Sequence, residues 1–357
     1  MAYTTIDDPE AHFQVKAYTG NYSDAHAITL DGDTDMQPDL VVSKQRDGAD
    51  AWYVSDAARG TTKTIYWDVT TTEETIAAGI QAFGSDGFTV GQNNAVNQSG
   101  AAHVAFCWKA NGSGTANSEG NTTTTKTSAN TTAGFSIITY EGDGAAATLG
   151  HGLGAVPHCI LQKNIDDAEN WQVYHHKNTS APETDYLTFN TTNATSDQSS
   201  RWNDTAPTST LISIGSDSSV SQSGESMVIY AWSEKQGFSK FGSFTGNGNA
   251  DGPFVYTGFK VRWLLVKNAV GAETWNIWDS KRTSSGGGNL VDKDLSTNHT
   301  RAEQSGTAGV KVVDFLSNGF KVRGSNTELN QSGNNHIYMA FAEAPFVNSE
   351  GVPCTAR

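Results

Sequence analysis

Short apolar runs bounded by Gly, Asn or Asp recur along the whole chain, and they are rich in aromatic and β-branched side chains. Runs of this kind, such as Val104–Trp108, predict β-strands. Asp-Gly and Asn-Gly pairs before Phe88 and Phe320 predict hairpin turns. The only helix-like stretch is Glu73–Phe83, and Gly79 interrupts it. The pattern therefore predicts an all-β protein.

Three sequence landmarks recur three times, in the same order. The first is an aromatic residue followed by a Gly-containing turn, at Tyr18, Tyr140 and Phe244. The second is an apolar strand that ends in Lys, with Trp 8 residues later, in the pairs Lys44/Trp52, Lys163/Trp171 and Lys267/Trp275. The third is Gln-Ser-Gly with an aromatic residue 8 positions after the Gly, in the pairs Gly100/Trp108, Gly224/Trp232 and Gly333/Phe341. Fixed local spacings separated by variable gaps are typical of strands joined by tolerant loops.

The landmarks predict three tandem copies of one unit of about 100 residues, each made of two antiparallel sheets packed face to face. We place the copies at 13–110, 135–236 and 237–346. The segment 111–134 is rich in Gly, Ser, Thr and Asn and nearly lacks apolar side chains, so it predicts a linker or a surface loop. Residues 1–12 and 347–357 lie outside the repeats and are expected to be terminal arms.

Composition and charge exclude several classes of protein. Hydrophobic residues make up 36% of the chain, which suffices for folded cores. The formal net charge is −15, and Lys and Arg are scattered, so binding to nucleic acid or to anionic membranes is not expected. Apolar runs stay well below the ~18 residues of a membrane span. The first residues lack the features of a signal peptide, so we expect synthesis and folding in a cytoplasm.

One acidic segment has the beginning of a calcium-binding loop. Asp31, Asp33 and Asp35 stand at alternate positions, as carboxylate ligands do in such loops. The complete pattern requires Gly after the third ligand and Glu at the last position, where this chain has Met36 and Val42. The sequence leaves two alternatives open, a calcium site or a solvated acidic loop, and predicts no other cofactor.

Motifs of catalysis are missing from the sequence. It contains neither a nucleophile elbow, nor a zinc-protease motif, nor a phosphate-binding loop. Four histidines gather in the second copy, at His151, His158, His175 and His176, but without a paired carboxylate motif. The three cysteines, an odd number without CxxC spacing, support neither a disulfide framework nor a zinc site. We therefore expect that the protein is not an enzyme.

The tryptophans fall into two groups. Those that recur are expected in the core: Trp52, Trp171 and Trp275 at one position, and Trp108 and Trp232 at another, which Phe341 occupies in the third copy. Those that do not recur are candidate exposed platforms on which sugar rings could stack, because a binding site need not repeat: Trp67, Trp202, Trp263 and Trp278. The alternative for these four is packing that is specific to one copy.

Several strings of the second and third copies resemble a known family. Gly134–Gly144 and Pro157–Lys163 resemble a repeated domain of uncharacterised function from virion proteins of tailed bacteriophages, many of them from marine hosts. Gly237–Gly248 and Met339–Pro345 are similar to it as well. The resemblance implies a fibre-like or tail-associated virion part with a β-sandwich of jelly-roll or lectin-like type. It implies no catalytic residue.

Together these observations predict a bacteriophage structural protein on the surface of the virion, a tail-fibre or host-recognition component that binds a cell-surface glycan. The alternative is capsid decoration, or tail assembly, without a ligand. A polysaccharide depolymerase is a third possibility, which the hairpin-like unit disfavours. The expected partners are other tail or capsid subunits, and a homo-oligomer, with a trimer favoured, is expected.

Overall fold

The computed structural model describes residues 2–284, 288–307 and 309–354, and this part of the chain is all-β, as predicted. Its helices are single turns, the 3-10 helix Pro9–Ala11 and α1 (Asn94–Asn97), α2 (Ser199–Trp202), α3 (Ser218–Ser221) and α4 (Thr327–Asn330). Within the described ranges, none of the helices has the length and hydropathy needed to cross a membrane.

The first third of the chain forms one six-stranded and one three-stranded antiparallel sheet. Its strands are β1 (Phe13–Thr19), β2 (His26–Thr29), β3 (Leu40–Gln45), β4 (Tyr53–Asp56), β5 (Lys63–Tyr66), β6 (Glu74–Thr75), β7 (Ile80–Gly84), β8 (Gly87–Val90) and β9 (Ala102–Trp108). The first large sheet has the order β1-β9-β3-β4-β5-β6, and the first outer sheet has the order β2-β8-β7. The stretch 73–83, whose sequence resembles a helix, instead forms β6 and most of β7.

The middle third forms one eight-stranded and one two-stranded sheet. Its strands are β10 (Thr115–Asn117), β11 (Thr124–Asn130), β12 (Phe135–Glu141), β13 (Ala147–Gly150), β14 (Cys159–Asn164), β15 (Gln172–His175), β16 (Asp185–Thr188), β17 (Ser196–Asp197), β18 (Leu211–Ile214) and β19 (Ser226–Trp232). The second large sheet has the order β10-β11-β12-β19-β14-β15-β16-β17, and β13 and β18 form the second outer sheet.

The last third forms one six-stranded and one four-stranded sheet. Its strands are β20 (Ser239–Thr245), β21 (Phe254–Tyr256), β22 (Phe259–Asn268), β23 (Asn276–Asp279), β24 (Leu290–Val291), β25 (Lys293–Ser296), β26 (Gln304–Ser305), β27 (Val313–Leu316), β28 (Gly319–Val322) and β29 (Asn335–Pro345). The third large sheet has the order β20-β29-β22-β23-β25-β26, and the third outer sheet has the order β21-β28-β27-β24.

The repeated sequence landmarks occupy corresponding places in the three large sheets. In each sheet the strand that carries the first landmark pairs with the strand that follows the third landmark, as β1 does with β9. The two turns also meet, since the amide of the Gln-Ser-Gly glycine donates to the carbonyl of the first-landmark glycine at 2.9, 2.8 and 2.9 Å, in the pairs Gly100/Gly20, Gly224/Gly142 and Gly333/Gly246. A side chain on Gly20 would collide with the carbonyl oxygen of Gln98 at 2.2 Å, which explains why this turn requires glycine.

The lysines of the second landmark are fully buried. Their ammonium groups donate to backbone carbonyls of the loop that follows, for example from Lys44 to Gly48 at 3.0 Å and from Lys267 to Glu273 at 2.7 Å. Burial lowers the pKa of each ammonium group to about 8, in Lys44, Lys163 and Lys267. The fixed spacing from Lys to Trp therefore reflects a loop that the lysine holds in place.

Both faces of the inner strands of the large sheets are buried, as in β3 and β14. One face packs against its own outer sheet, as Val41 of β3 does with Phe88 of β8. The other face contributes to a central core shared by all three large sheets, which includes Val42, Leu161 and Leu265. At its centre the third-landmark aromatics meet, since the ring of Trp108 lies 6.1 Å from Trp232 and 5.7 Å from Phe341. The sandwich-like character predicted from the strand pattern is present, and the shared core adds a second packed face.

Equivalent backbone hydrogen bonds join the large sheets at three boundaries. The residue just before the last strand of each large sheet donates to a carbonyl of another large sheet, from Glu73 to Ile165 at 2.7 Å, from Thr195 to Ala269 at 2.9 Å and from Glu303 to Arg46 at 2.7 Å. The last of these leads from the third sheet back to the first. The three sheets therefore form a closed ring within one chain.

Segment 111–134 differs from the expected linker, because it forms β10 and β11 on the edge of the second large sheet. Its threonines are β-branched and suit a strand that has one solvated face, so few apolar side chains are needed. Both terminal arms make defined contacts. Ile6 is buried in the central core, and the backbone amide of Ser349 donates to the carboxylate of Asp7 at 2.7 Å.

Candidate functional site

The four candidate tryptophan platforms are buried, so the prediction that they form exposed stacking surfaces is wrong. Trp67 and Trp263 lie in the central core, and Trp202 and Trp278 lie in the cores beneath the second and third outer sheets. Each side chain is at most 2% exposed. They are buried because hydrophobic cores lie on both sides of the inner strands of the large sheets, so that an indole on either side is enclosed.

The acidic segment does not form a calcium loop. The three residues predicted as ligands, Asp31, Asp33 and Asp35, lie on an exposed loop between β2 and β3. Asp31 pairs with Lys16 at 3.6 Å and with Lys281 at 3.2 Å. Among the described residues, no group of three or more His, Cys, Asp and Glu side chains could hold a metal ion. The solvated acidic loop, the second of the two alternatives, describes this segment.

Three of the four histidines come together where the second and third large sheets meet. The rings of His158 and His176 are 4.5 Å apart, and Nε2 of His176 lies 2.7 Å from the carbonyl oxygen of Phe241. Nε2 of His175 lies 3.1 Å from the carbonyl oxygen of Tyr338. Burial lowers the pKa of His175 to about 3 and that of His176 to about 4. These rings join two sheets. The carboxylate of Glu234 raises the pKa of His158 and of His176, but burial lowers both by more.

Two exposed aromatic side chains lie side by side on the third outer sheet. Phe254 and Tyr256 of the edge strand β21 are 47% and 53% exposed, whereas Val255 between them is buried. Because alternate residues of a strand point to the same face, both aromatic rings lie on the solvent face of this sheet. The hydroxyl of Tyr3 lies 3.1 Å from that of Tyr256 and donates to the carbonyl of Gly258 at 2.7 Å.

A row of side chains crosses the same solvent face from β21 to β24. Phe254 is opposite Lys321 of β28, Lys321 is opposite Asp314 of β27, and Asp314 is opposite Leu290 of β24, and directly opposed residues share a face. Tyr256 is opposite Gly319, where a side chain would collide with the carbonyl oxygen of Val255 at 2.1 Å. The position opposite Tyr256 therefore carries no side chain that could cover the aromatic ring.

Charged groups next to the aromatic pair are connected by ion pairs. Lys321 lies 2.9 Å and Arg323 lies 3.7 Å from the carboxylate of Asp251. Arg323 also lies 3.4 Å from the carboxylate of Asp314. The hydrogen bond from Lys321 is the largest cause that lowers the pKa of Asp251, so this carboxylate is ionised at neutral pH.

A surface cavity of about 460 Å³ opens beside this charged cluster. Its lining residues are Ala250, Asp251, Leu290, Gly309, Val312, Asp314 and Arg323. The volume falls within the ~300–1,000 Å³ of small-molecule sites. We call Phe254, Tyr256, Lys321 and this cavity the aromatic site. It combines an exposed apolar platform with converging donors and acceptors.

The corresponding positions of the other two outer sheets carry small residues. Gly87 of β8 and Gly319 of β28 occupy the same position in the repeated Gly-Phe-x-Val strings, so the residues opposite them correspond. Thr29 therefore corresponds to Tyr256, and Ala27 corresponds to Phe254. In the second outer sheet Thr148 is opposite Ser213. Of the three outer sheets, the third is thus the one that carries an aromatic pair at these positions.

The sequence contains a signal for this site in the strand before the second landmark. Phe254 and Tyr256 are aromatic residues that do not recur, because the corresponding residues of the first outer sheet are Ala27 and Thr29. The tryptophans that do not recur are a poorer signal, because indoles are commonly buried. The exposure of Phe254 and Tyr256 could not be read from the sequence without the position of β21 in the sheet.

Taken together, the packed antiparallel sheets, the buried histidines and the exposed aromatic site define an all-β protein whose candidate chemistry is binding. The chain belongs to a family described as a domain of unknown function, DUF7483, and the match spans residues 8–345. This span runs through all three large sheets. A comparison with curated proteins gave no match.

Proposed function

We propose that the protein is a structural protein on the surface of a bacteriophage virion and that it binds a cell-surface glycan through the aromatic site. The observation that carries the binding proposal is the exposed pair Phe254 and Tyr256 beside a cavity lined by Asp251, Asp314 and Arg323. The assignment to a virion rests on the resemblance described for the sequence. In this proposal the partners are other virion proteins.

We further propose that the body consists of three copies of one β-sandwich unit of lectin-like type. Support comes from the strand order, which is the same in the first and third large sheets and is extended by β10 and β11 in the second. The repeated pairing of glycine turns and the equivalent hydrogen bonds at the three boundaries support it as well. Three related scaffolds allow one copy to acquire a ligand site while the others keep small residues there.

The aromatic site suits a sugar ring for a physical reason. The face of an aromatic ring carries partial negative charge, which attracts the weakly positive C–H groups on the apolar face of a sugar. Carboxylates and cations at the rim can bond to the hydroxyl groups. Neighbouring exposed aromatic side chains lower the solubility of a protein. A pair of them on the solvent face of an edge strand therefore favours a binding role.

Capsid decoration is the second candidate, and the compact ring of three sheets favours it. The N-terminal segment packs on the body through Ile6, and the C-terminal segment is bonded to the N-terminal one from Ser349 to Asp7. A compact body suits attachment to a lattice. The copy number per purified particle separates the two roles, because a decoration protein is present in numbers comparable to the capsid subunits and a fibre in far fewer.

The binding proposal is tested by titrating the protein with surface polysaccharide from host cells. The double variant Phe254→Ala/Tyr256→Thr installs the residues of the first outer sheet and should bind about tenfold or more weakly, since each aromatic contact contributes about 1 kcal/mol. Tyr22→Asn is the matched control, because Tyr22 is also exposed and its φ of 57° is one that Asn adopts readily. Equal binding by the double variant and the wild type would contradict the proposal.

A further inference from the structure

We infer that the aromatic site selects an uncharged sugar, a neutral hexose unit, over an acidic one. This inference rests on the proposed function and names the class of glycan. It follows from the balance of charge beside Phe254 and Tyr256. Two cations, Lys321 and Arg323, are matched there by two carboxylates, Asp251 and Asp314.

The cations of the site are already engaged. Lys321 pairs with Asp251 at 2.9 Å and donates to the carbonyl oxygen of Gly252 at 3.1 Å. Arg323 lies between two carboxylates, at 3.7 Å from Asp251 and 3.4 Å from Asp314. An anionic sugar would have to displace one of these carboxylates or lie next to it, and both arrangements are unfavourable.

Hydroxyl groups match the same cluster without displacing any of its members. The side chain of Asp251 is 82% exposed and that of Arg323 is 46% exposed, so acceptor and donor sites on both remain open to solvent. A hydroxyl group both donates and accepts, and two neighbouring hydroxyls can bridge a carboxylate and a guanidinium. The aromatic pair then supports the apolar face of the same ring.

Affinity for a neutral sugar should depend little on salt. Screening weakens the attraction between exposed charges of opposite sign, and a neutral ligand has no charge to screen. Raising NaCl from about 50 to about 500 mM shortens the screening length severalfold, so this range is sufficient to separate the two ligand classes.

The experiment uses the full chain and two matched pairs of polymers, galactan with polygalacturonate and mannan with polymannuronate. Within a pair the sugar differs by a carboxylate in place of a hydroxymethyl group. We expect the protein to bind at least one neutral polymer tenfold or more tightly than its acidic partner, with less than twofold change in affinity over the salt range. The variant Asp251→Asn leaves one cation without a matching carboxylate. It should bind the acidic polymer more tightly and so reduce the ratio of the affinities for the neutral and the acidic polymer.

The outcomes separate this inference from the proposed function. Tighter binding of an acidic polymer that weakens with salt and is lost in Phe254→Ala/Tyr256→Thr would overturn the neutral-sugar inference and leave the proposed function standing. Binding of neither class, or equal binding by wild type and double variant, would overturn both. Circular dichroism of each variant establishes that the fold is intact.

Discussion

The indole Nε1 of Trp52 donates a hydrogen bond of 2.8 Å to the carbonyl oxygen of Ser296, a residue 244 positions later in the chain. Two equivalent bonds complete the set, from Trp171 to the carbonyl of Tyr66 at 2.7 Å and from Trp275 to that of Thr188 at 3.0 Å. Each second-landmark tryptophan therefore binds the second-last strand of a neighbouring large sheet. The bond of Trp52 joins the two ends of the series and closes the ring.

Replacement of these tryptophans by Phe should destabilise the protein to a similar extent at all three boundaries. Trp52→Phe removes the hydrogen bond from the indole to the buried carbonyl of Ser296, which costs about 1 kcal/mol. The free energy of unfolding in urea measures this cost. Trp67→Phe is the control, because Nε1 of Trp67 has no hydrogen-bond partner within the described part of the chain. Equal losses for Trp52→Phe and Trp67→Phe would show that the hydrogen bond contributes nothing.

Glu303 should be the most sensitive charged residue at the boundary between the third and first large sheets. Its carboxylate binds Nε and Nη2 of Arg46, both at 2.9 Å, and Nη1 of Arg282 at 2.9 Å. Because the Arg282 side chain is fully buried, Glu303→Gln should cost about 2–4 kcal/mol of unfolding free energy.

The control for this substitution is Glu234→Gln, which breaks the more exposed pair with Lys240 and should cost less than about 1 kcal/mol. Chemical denaturation of both variants provides the comparison. Similar small losses for the two variants would contradict the view that the Glu303 cluster holds the boundary.

Acid should weaken the boundary between the second and third large sheets through His175. Burial, and then the neighbouring His176, lowers the pKa of His175 to about 3, well below the ordinary value of 6.5. Its Nδ1 lies 3.2 Å from the amide of Lys177, an acceptor role that a protonated ring cannot keep. Below pH 6.5 the unfolded chain binds a proton that the folded chain does not, so stability falls as pH decreases towards 3.

At pH 5 this single group should account for about 2 kcal/mol of lost stability relative to pH 7. The measurement is the difference in unfolding free energy between the two pH values for wild type and His175→Gln. The variant should show a difference smaller by about that amount. An identical pH dependence in both proteins would exclude His175 as the cause.

Local spacing predicted the strands and the landmarks because each reflects contacts within one sheet. The eight-residue interval from Lys44 to Trp52 corresponds to one loop fixed by one buried ammonium group. The glycine turns could be predicted for the same reason, since Gly20 and Gly100 belong to adjacent strands. Corresponding positions in the other two large sheets make the same local contacts.

Contacts between sheets could not be predicted in this way. Trp263 is buried because it lies near Trp108 of the first large sheet, with ring centres 5.8 Å apart, and nothing near it in the sequence indicates that contact. The strands β10 and β11 were missed because strands at the rim of a sheet, with one solvated face, need few apolar side chains, so their composition resembles that of a loop. Phe254 and Tyr256 were missed because their exposure depends on the place of β21 at the edge of an outer sheet.

The most direct test of recognition through the aromatic site uses intact particles that carry Phe254→Ala/Tyr256→Thr in this protein. The rate of adsorption to host cells should fall about tenfold or more, as expected for the loss of two aromatic contacts. The number of copies per particle should stay the same, because both substituted side chains are exposed. Unchanged adsorption by particles with the full number of copies would contradict the account.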